Sequence, residues 1–308
     1  MHTMVIPLGT ASALPAHGRY LSSVALWRAG RILLFDCGEG AQYRIKDADL
    51  KRSRVDAIFI THLHGDHCFG LPGFLATLGM MQRKDPLLVV GPEGVEEFGL
   101  LPGLGAEHLP YELTFRTLPD DAGRTTVMQT DDFTVTARPL DHRTPTFGFR
   151  FEEPSRPGRM QPERARDLGI REPEDLGRLQ EGESVETPKG TVAPEQVMGA
   201  ERPGVSFAYV TDTRPCQQGE ELARRVDLLV HDSTFGMRNR ARAIETAHST
   251  AREAAGVARR AEARKLLLTH FSARHRDVTD LVREARTVFS NTAAAEELKR
   301  YDLKSGEE

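Results

Sequence analysis

Short runs of apolar residues recur along the chain. These runs are rich in β-branched and aromatic residues and are bounded by turn residues, which is typical of buried strands. The predicted strands are "MVIPLGT", "SSVALWRAGRILLFDCG", "VDAIFITH", "PLLVVG", "FTVTARPLDH", "TFGFRFEE", "GVSFAYVTDT", "VDLLVHDS" and "KLLLTHFS". Stretches with the helical spacing of apolar positions alternate with them, near residues 40–46, 68–82, 93–101, 216–225, 249–263 and 277–289. This alternation predicts an α/β architecture in layers, with helices outside the sheets.

Several of the predicted strands end in a histidine or an aspartate. The runs "IFITH", "ARPLDH", "YVTD" and "LLLTH" place His62, His142, Asp212 and His270 next to apolar segments. The ends of neighbouring buried strands meet at one rim of a sheet, so side chains that are distant in sequence can converge there. The pattern therefore predicts a functional site at the strand ends.

The composition changes between residues 153 and 204, where Gly, Pro and charged residues dominate. Eight Arg and Lys stand against eleven Asp and Glu in this segment, a formal charge of −3. A disordered linker would have such a composition. However, "ERARDLGI" and "LGRLQEGESVE" keep some helical and strand-like spacing. We therefore expect a partly ordered arm, inserted into a single domain that spans residues 1–308.

The overall composition is typical of a soluble globular protein. Of the 308 residues, 39% are hydrophobic and 28% charged, and the formal net charge is −4. No apolar run approaches the roughly 20 residues that span a bilayer, and "MHTMVIPLGT" has no signal-peptide pattern. The three cysteines form no CxxC pair, so reduced thiols are the simplest interpretation. We expect a cytoplasmic protein with no membrane partner, and the mild net charge still allows a local basic patch for nucleic acid.

The segment "THLHGDH" after the strand "DAIFI" places four ligand-type side chains within six residues. His62, His64, Asp66 and His67 offer imidazole nitrogens and a carboxylate, which are donors that zinc prefers, and Gly65 allows a tight turn between them. The alternative is a polar surface loop that is rich in histidine. Neighbouring side chains diverge, so the four donors fit two ions better than one, with His62 and His64 on the first.

Each of these two ions needs ligands from elsewhere in the chain, and the strand ends can supply them. His142 can complete the first ion and His270 the second, while the carboxylate of Asp212 can bridge both. A lone strand-end histidine is more often structural, but the cluster requires additional ligands. Two ions about 3.5–4 Å apart can activate a water molecule and stabilise charge on a phosphoryl oxygen. This fits hydrolysis of a phosphodiester and also of other electrophiles.

The pattern H-x-H-x-D-H after an apolar strand is the signature of the metallo-β-lactamase fold, and the chain resembles the short form of ribonuclease Z, the tRNA 3′-processing endoribonuclease. The segments that carry the resemblance run through nearly the whole chain: "LGTASALP", "LFDCGEGAQYRI", "FITHLHGDHCFGLPG", "PLDH", "YVTDT", "LLVHDSTF", "AHSTAREAA" and "LLLTHFSAR". The resemblance implies a four-layer αββα sandwich in which residues 153–204 form a flexible, protruding arm that binds tRNA.

The resemblance also implies a set of metal ligands and two zinc ions per subunit, which Mn²⁺ or another divalent ion could replace. The ligands of one ion would be His62, His64, His142 and Asp212, and those of the other would be Asp66, His67, Asp212 and His270. Asp36 in "FDCGE" would lie behind the metals and orient a ligand imidazole. The remaining histidines His2, His17, His108 and His275 have no such support.

Three residues are expected to act on protons in this resemblance. Asp66 would be the general base for the attacking water, and His248 in "AHST" would protonate the 5′ oxygen of the leaving 3′ fragment or stabilise the phosphate. Asp232 would orient His248. Because the family commonly has Glu where this chain has the shorter Asp232, we expect a longer or water-bridged contact. His231 is open between a site role and a structural one, and "HST" predicts helix capping by Ser249 or Thr250.

Contacts to RNA are predicted from the resemblance and from local positive charge. The loop "PAHGRY", residues 15–20, keeps the Pro and Arg of a family loop that handles the tRNA end, but has His17 and Tyr20 where the family has Lys and Asn. The predicted RNA-binding residues are Arg19, Arg156, Arg159, Arg238 and Arg240.

The implied function is that of an endoribonuclease that removes 3′ trailers from precursor tRNA. It would cut after the discriminator nucleotide, leave a 3′-hydroxyl, and work as a homodimer in the cytoplasm without DNA or membrane partners. An exoribonuclease and a small-molecule phosphodiesterase on the same fold are the alternatives. A non-catalytic RNA-binding relative would need a degraded ligand set, and every ligand position is filled here.

Overall fold

The computed structural model describes residues 2–100 and 109–304, which fall into two compact units. The larger unit contains the residues up to Glu152 together with Val205–Lys304, and the smaller unit is Glu153–Gly204. The last residue of the helix predicted near 93–101 and the side chain of His108 lie outside the described residues. No helix in the described part of the chain has the length and apolar character needed to cross a membrane.

Two seven-stranded sheets form the centre of the larger unit, as far as the chain is described. In spatial order, the strands of the first sheet are β18 (Tyr301–Leu303), β1 (Thr3–Gly9), β3 (Ser23–Arg28), β4 (Arg31–Phe35), β5 (Val55–Phe59), β6 (Leu87–Pro92) and β7 (Leu113–Leu118). Those of the second are β17 (Thr292–Ala294), β15 (Leu266–Thr269), β14 (Leu228–Asp232), β13 (Ser206–Val210), β10 (Phe147–Glu152), β9 (Thr134–Pro139) and β8 (Thr125–Gln129).

Each sheet contains a block of parallel strands. Strands β4, β5, β6 and β7 run parallel to one another, as do β13, β14, β15 and β17. A further parallel pair is formed by β2 (Ala11–Ser12) and β16 (Phe271–Ser272). Because the carboxyl ends of parallel strands lie at one edge of a sheet, the residues that follow β5, β13, β14 and β15 are brought to common rims.

Alternation along the strands decides which side chains fill the space between the two sheets. On β4, Phe35 points to the inner core, and Leu34 points to the outer face. The Phe35 ring lies 5.1 Å from the ring of Phe59 in its own sheet and 5.3 Å from that of Phe207 in the other, centroid to centroid. Burying a ring of this kind stabilises the fold by about 1.5–3 kcal/mol.

Helices cover the outer faces of both sheets. On the side of the first sheet lie α1 (Ala41–Asp47), α2 (Gly65–Cys68), α3 (Gly70–Met80) and α4 (Val95–Gly99). On the side of the second lie α8 (Gln217–Leu222), α10 (Ala251–Arg260) and α11 (Thr279–Arg286), and α9 (Arg240–Glu245) precedes α10. Short 3₁₀ turns occupy Arg52–Arg54 and Met237–Asn239. The layers are helix, sheet, sheet and helix, which is the predicted α/β sandwich.

The strands that the sequence pattern did not reveal in the larger unit include all four sheet edges. These are β7 and β18 in the first sheet and β8 and β17 in the second. An edge strand pairs on one side only and exposes part of its surface to water, so its sequence need not be apolar. The burial of β7 illustrates this, because only Leu118 of its six residues is buried.

The smaller unit has secondary structure and an apolar cluster of its own. Its elements are α5 (Pro162–Asp167), α6 (Pro173–Gln180), β11 (Val185–Thr187), β12 (Gly190–Val192) and α7 (Pro194–Val197). Each of the three helices begins with a proline, whose fixed φ and missing N–H suit the first helical position. The buried side chains of the cluster are Ala165, Ile170, Leu179, Val185, Val192 and Val197.

Candidate active site

The rims of the two sheets bring together the seven residues that were predicted as metal ligands. One ligand atom from each of His62, His64, His142 and Asp212 lies within 4.8 Å of the others, and the same holds for Asp66, His67, Asp212 and His270. Asp212 belongs to both groups. Its Oδ2 lies 3.4 Å from His67 Nε2, and its Oδ1 lies 3.1 Å from His270 Nε2.

Two glycines let the loop after β4 lie directly against the ligand loop after β5. A Cβ atom on Gly70 would lie 2.3 Å from the carbonyl oxygen of Gly38, and one on Gly38 would lie 2.6 Å from that of Asp66. In this contact the Cys37 N–H donates to the carbonyl of His67 at 2.8 Å. The two loops can approach this closely because only glycine leaves room for the backbone at Gly38 and Gly70.

Asp36 lies behind His67 and is fully buried. Its Oδ2 is 2.7 Å from His67 Nδ1 and accepts a hydrogen bond from the Tyr209 hydroxyl at 3.0 Å. Its Oδ1 accepts from the N–H of Thr61 at 2.8 Å and from the Thr61 hydroxyl at 2.9 Å. When a carboxylate accepts a hydrogen bond from Nδ1, Nε2 of the same imidazole stays free to bind a metal ion.

The backbone has an uncommon conformation at two residues of the site, Asp36 and His270. Asp36 has a φ of 58° and His270 a φ of 61°, in the left-handed region that non-glycine residues seldom adopt. Such conformations cost free energy and are common at functional sites, where the surrounding structure enforces them. Here they direct Asp36 towards His67, and His270 towards Asp212.

The electrostatic state of the cluster suits divalent cations. Burial lowers the pKa of His62 well below its ordinary value and also lowers that of His142, so both imidazoles are neutral, which is the form that binds metal. Burial would raise the pKa of Asp66, but His67 and His270 lower it below its ordinary value. The carboxylate is therefore ionised and available as a ligand or as a base.

A buried nitrogen of the ligand cluster has no hydrogen-bond partner in the described part of the chain. His142 Nδ1 donates to the carbonyl of Ala247 at 2.9 Å, which leaves a lone pair on Nε2. That Nε2 is buried and unpartnered. A buried acceptor normally has a partner, and the neighbouring donors are of the kinds that zinc and similar ions take. The residues therefore fit bound divalent metal ions.

The predicted His248–Asp232 pair lies beside the ligands. His248 Nδ1 is 2.8 Å from Asp232 Oδ2 and 3.9 Å from Asp212 Oδ2. The contact is direct, so the expectation of a longer or water-bridged contact is wrong. Asp232 is held in place by the N–H of Thr213 at 3.0 Å and by the N–H of Thr234 at 2.9 Å, and these contacts bring the shorter side chain within reach.

The surroundings of His248 favour its protonated form. Burial lowers its pKa, but the carboxylates of Asp232 and Asp212 outweigh this and raise the pKa to about 9. The imidazole is therefore protonated at neutral pH. Of the two following residues, Thr250 caps α10 by accepting from the N–H of Glu253, whereas the Ser249 hydroxyl donates to the carbonyl of Thr213 at 2.6 Å.

Among the described residues, His2, His17 and His231 belong to none of the groups of possible ligand atoms, whereas His248 lies with Asp212, Asp232 and His270 in a third group. His231 is buried on β14, with Nδ1 bonded to its neighbour's carbonyl at 2.9 Å, and alternation along the strand directs it away from the face of Asp232. His2 pairs with Asp302, and His17 Nε2 bonds the carbonyl of Ala273.

The predicted RNA-binding arginines differ in how they are engaged. The guanidinium of Arg19 donates to the carbonyls of His275 at 2.7 Å and Arg276 at 3.0 Å, so it braces the loop after β16. Arg240 donates to Glu253 at 3.1 Å, and Arg238 lies 3.7 Å from Asp280. In the smaller unit, Arg156 donates to Glu153 at 2.9 Å, and Arg159 is exposed.

The supporting residues Thr61, Tyr209, Thr213, Thr234, Arg214 and Glu253 were not predicted from the sequence. Thr61 directly precedes His62, and Thr213 directly follows Asp212. Arg214 and Thr234 each lie two positions after a predicted site residue. Tyr209 stands out as a hydroxyl within an otherwise apolar strand, which is a usable signal. For Arg214 and Glu253 no local pattern marks the pairing.

Comparisons with known proteins match both halves of the chain. Residues 3–144 match the family model described as anti-Pycsar protein Apyc1, and residues 187–271 match the beta-lactamase superfamily domain. Ribonuclease Z of Salinibacter ruber is 54% identical over 304 residues, which cover 97% of this chain and 94% of that protein. Ribonuclease Z of Methanosarcina acetivorans is 40% identical over 299 residues, which cover 96% of each.

Solved structures agree with these relatives. The crystal structure of human tRNase Z, short form, superposes with a TM-score of 0.72 and 27% identity, and the match covers 98% of this chain and 99% of that chain. The predicted metallo-β-lactamase fold and the predicted resemblance are both confirmed by these findings.

Proposed function

This chain belongs to the ribonuclease Z family, and from that premise we propose that it is a metal-dependent endoribonuclease that removes 3′ trailers from precursor tRNA. The observation that carries the proposal is the complete ligand set with the buried His248–Asp232 pair at its side. The cut would follow the discriminator nucleotide and leave a 3′-hydroxyl on the tRNA and a 5′-phosphate on the trailer.

We propose that two zinc ions occupy the ligand groups, with Mn²⁺ or another divalent ion as a possible replacement. His62, His64, His142 and Asp212 would hold one ion, and Asp66, His67, Asp212 and His270 the other. The neutral imidazoles and the unpartnered His142 Nε2 support this assignment. Such ions, when bound, supply Lewis acidity that activates water and stabilises negative charge on a phosphoryl oxygen.

The protein's own side chains would move the two protons of the reaction. Asp66 is ionised and only partly buried, so it would accept the proton of the attacking water. The bond from water oxygen to phosphorus forms and the bond from phosphorus to O3′ breaks, because the tRNA product carries a 3′-hydroxyl. His248 would donate its proton to that O3′ and not, as the resemblance implied, to the 5′ oxygen of the trailer, because the 5′ oxygen stays bonded to phosphorus. Asp232 would hold the imidazole in place and stabilise its charged form.

We propose that the smaller unit, Glu153–Gly204, contacts the tRNA substrate. The arginines near its start support this: Arg156, Arg159, Arg164 and Arg166. Arg238 and Arg240, which are exposed near the start of α9, would contact phosphates near the site. The segment's formal charge of −3 means that such contacts would be local rather than spread over the whole unit.

We further propose a homodimer in the cytoplasm. Large apolar side chains are exposed on and beside α1 and α3, namely Tyr43, Phe69, Met80 and Met81. Exposed apolar patches mark protein interfaces, and a second copy of the chain would cover them. The three free cysteines support a reducing compartment.

The test is a cleavage assay with purified protein, zinc or manganese, and a labelled precursor tRNA with a 3′ extension. Product ends are mapped at nucleotide resolution, and Asp66→Ala serves as the control. One sharp cut after the discriminator that is absent in the control is the expected result. A descending ladder of products would make the protein an exoribonuclease. Intact RNA with rapid turnover of bis(p-nitrophenyl) phosphate would make it a small-molecule phosphodiesterase.

A further inference from the structure

The backbone beside His248 is held by an arginine that has no assigned role. Arg214 Nη1 donates to the carbonyl oxygen of His248 at 2.5 Å. The same guanidinium forms a bidentate contact with Glu253: Nη1 donates to Oε2 at 2.8 Å and Nη2 donates to Oε1 at 2.6 Å. Both side chains are only 15% exposed, so this bidentate contact is shielded from water. Bidentate pairs of arginine and a carboxylate are among the stronger hydrogen-bonded contacts in proteins.

Glu253 connects this contact to the helix that follows His248. It is the third residue of α10, where its carboxylate accepts from the N–H of Thr250 at 3.0 Å and its own N–H donates to the Thr250 hydroxyl at 3.2 Å. These reciprocal bonds are a capping box that defines the start of the helix. By holding Glu253, the guanidinium of Arg214 therefore holds the first turn of α10 and the chain entering it.

The backbone of Arg214 is tied to the metal ligands. Arg214 follows Asp212 by two positions, and its N–H donates to the carbonyl of Asp141, the residue before His142, at 2.9 Å. On the other side of His248, the carbonyl of Ala247 accepts from His142 Nδ1 at 2.9 Å. One residue thus links the segments that carry two proposed ligands to the segment that carries His248.

We propose that Arg214 is a positioning residue for His248. It fixes the His248 carbonyl and the start of α10, and thereby the direction in which the imidazole faces the leaving O3′. The inference rests on the proposed function of His248 as proton donor. Arginine is required over lysine because one planar group must reach a carbonyl and both oxygens of a carboxylate at the same time.

A direct contact between Arg214 and an RNA phosphate is the competing role. The hydrogen bonds that the structure shows for Nη1 and Nη2 are all made within the protein, and the Arg214 side chain is largely buried. A phosphate ligand would have to displace Glu253. Burial would raise the pKa of Glu253, but Arg214 and Thr250 lower it to about 2. The carboxylate is therefore ionised and paired with Arg214. The geometry favours positioning.

The test compares Arg214→Gln, Arg214→Lys and the control Arg260→Gln. The Arg260–Glu220 ion pair also involves α10, but it lies at the far end of that helix, reaches α8 and is more exposed. Two substrates are used: the extended precursor tRNA, and thymidine 5′-(p-nitrophenyl phosphate), whose leaving p-nitrophenolate needs no proton. Metal content is measured for every variant.

We expect Arg214→Gln to lower kcat on the precursor about 10- to 100-fold, because a small displacement of a catalytic group has effects of this size. KM, metal content and turnover of the nitrophenyl diester should stay close to those of the parent. Arg214→Lys should recover part of the loss, and Arg260→Gln should match the parent on both substrates.

Three results would overturn the proposal. A rise in KM at unchanged kcat would make Arg214 an RNA contact. Equal losses on both substrates with lost metal would make its role one of maintaining the metal site. Unchanged kcat on the precursor would remove any role.

A readout without RNA keeps the proposal testable if the parent does not cleave precursor tRNA, which would overturn the proposed function instead. The ¹H–¹³C resonance of the His248 ring, assigned with His248→Gln, should shift in Arg214→Gln and stay in place in Arg260→Gln. An unmoved resonance in Arg214→Gln would overturn the positioning role by itself.

Discussion

Two buried histidine–aspartate pairs of nearly equal length lie at the rims of the two sheets, and we propose different roles for them. His67 lies 2.7 Å from Asp36 at the rim of the first sheet, and His248 lies 2.8 Å from Asp232 at the rim of the second. In the first pair the imidazole is wholly enclosed and its Nε2 is 3.4 Å from Asp212. In the second the imidazole side chain keeps 11% exposure, so a substrate atom can reach it.

The difference shows that the pairing does not by itself define the role of the histidine. In both pairs carboxylates raise the histidine pKa against the lowering effect of burial. His67 is surrounded by further ligand atoms and has no access to solvent, so we assign it to metal binding. His248 is held at the margin of the same cluster, so we assign it to proton transfer. The surroundings of the second ring nitrogen decide between the two.

Removing the exposed histidine should have the largest effect on turnover. His248→Ala is expected to lower kcat on precursor tRNA about 10²- to 10⁴-fold, the usual contribution of a general acid. Metal content should not change, because His248 is not among the proposed ligands. Single-turnover cleavage together with metal analysis checks both parts. Loss of metal in this variant would contradict the distinction between the two pairs.

Neutralising the two aspartates separately should distinguish the pairs. Asp36→Asn is expected to weaken metal affinity about 10- to 100-fold, as loss of a partner behind a ligand does, and excess zinc should restore its activity. Asp232→Asn should keep its metal and stay slow at any zinc concentration. Zinc titrations of both variants, with activity as the readout, make the comparison. Equal rescue of both variants would show that the pairs are alike.

The outer support of the His248 pair should be visible in the pH dependence of stability. The folded-state pKa of Glu253 is about 2, because Arg214 and Thr250 outweigh the effect of burial, and this lies below its ordinary value of 4.5. A depressed carboxyl pKa stabilises the fold above about pH 4.5, and this stability is lost as pH falls towards 2.

Glu253→Gln should therefore destabilise the protein by about 2 kcal/mol at pH 7, which is the free energy of the pKa difference reduced for screening by solvent. Its difference in stability from the parent should shrink below pH 4.5. Denaturant unfolding of both proteins at a series of pH values measures this difference in the free energy of unfolding. A difference that is constant with pH would mean that the carboxylate charge has no part in holding α10.

The outer support of the His67 pair should give an effect on stability of similar size. Tyr209→Phe removes one donor from the buried Asp36 carboxylate and is expected to cost about 1.5–3 kcal/mol of unfolding free energy, as for bonds to charged groups. Tyr111→Phe is the matched control, because its hydroxyl donates to a neutral carbonyl, that of Leu75, at 3.0 Å, and should cost about 0.5–1.5 kcal/mol. A Tyr209→Phe effect no larger than the control's would show that Asp36 needs no such support.

The central strands and the main helices were predictable because burial on both faces imposes apolar runs and packing against a sheet imposes helical spacing. The edge strands β7, β8, β17 and β18 were not, since one-sided pairing relaxes that demand. In the site, ligand-type side chains at strand ends were sufficient to predict that His62, Asp212 and His270 would converge. The contact of Asp232 with His248 was predicted in identity and missed in length.

The sequence by itself determined the layered α/β class, the donors at the strand ends and the family resemblance, because these depend on local periodicity and on residue types at short spacings. Only the tertiary structure decided that Arg214 reaches Glu253 and His248, that Tyr209 supports Asp36, and that Arg19 braces a loop. These contacts join segments many residues apart. Their partners are chosen by the packing of whole sheets and helices, and no local pattern of residues records that choice.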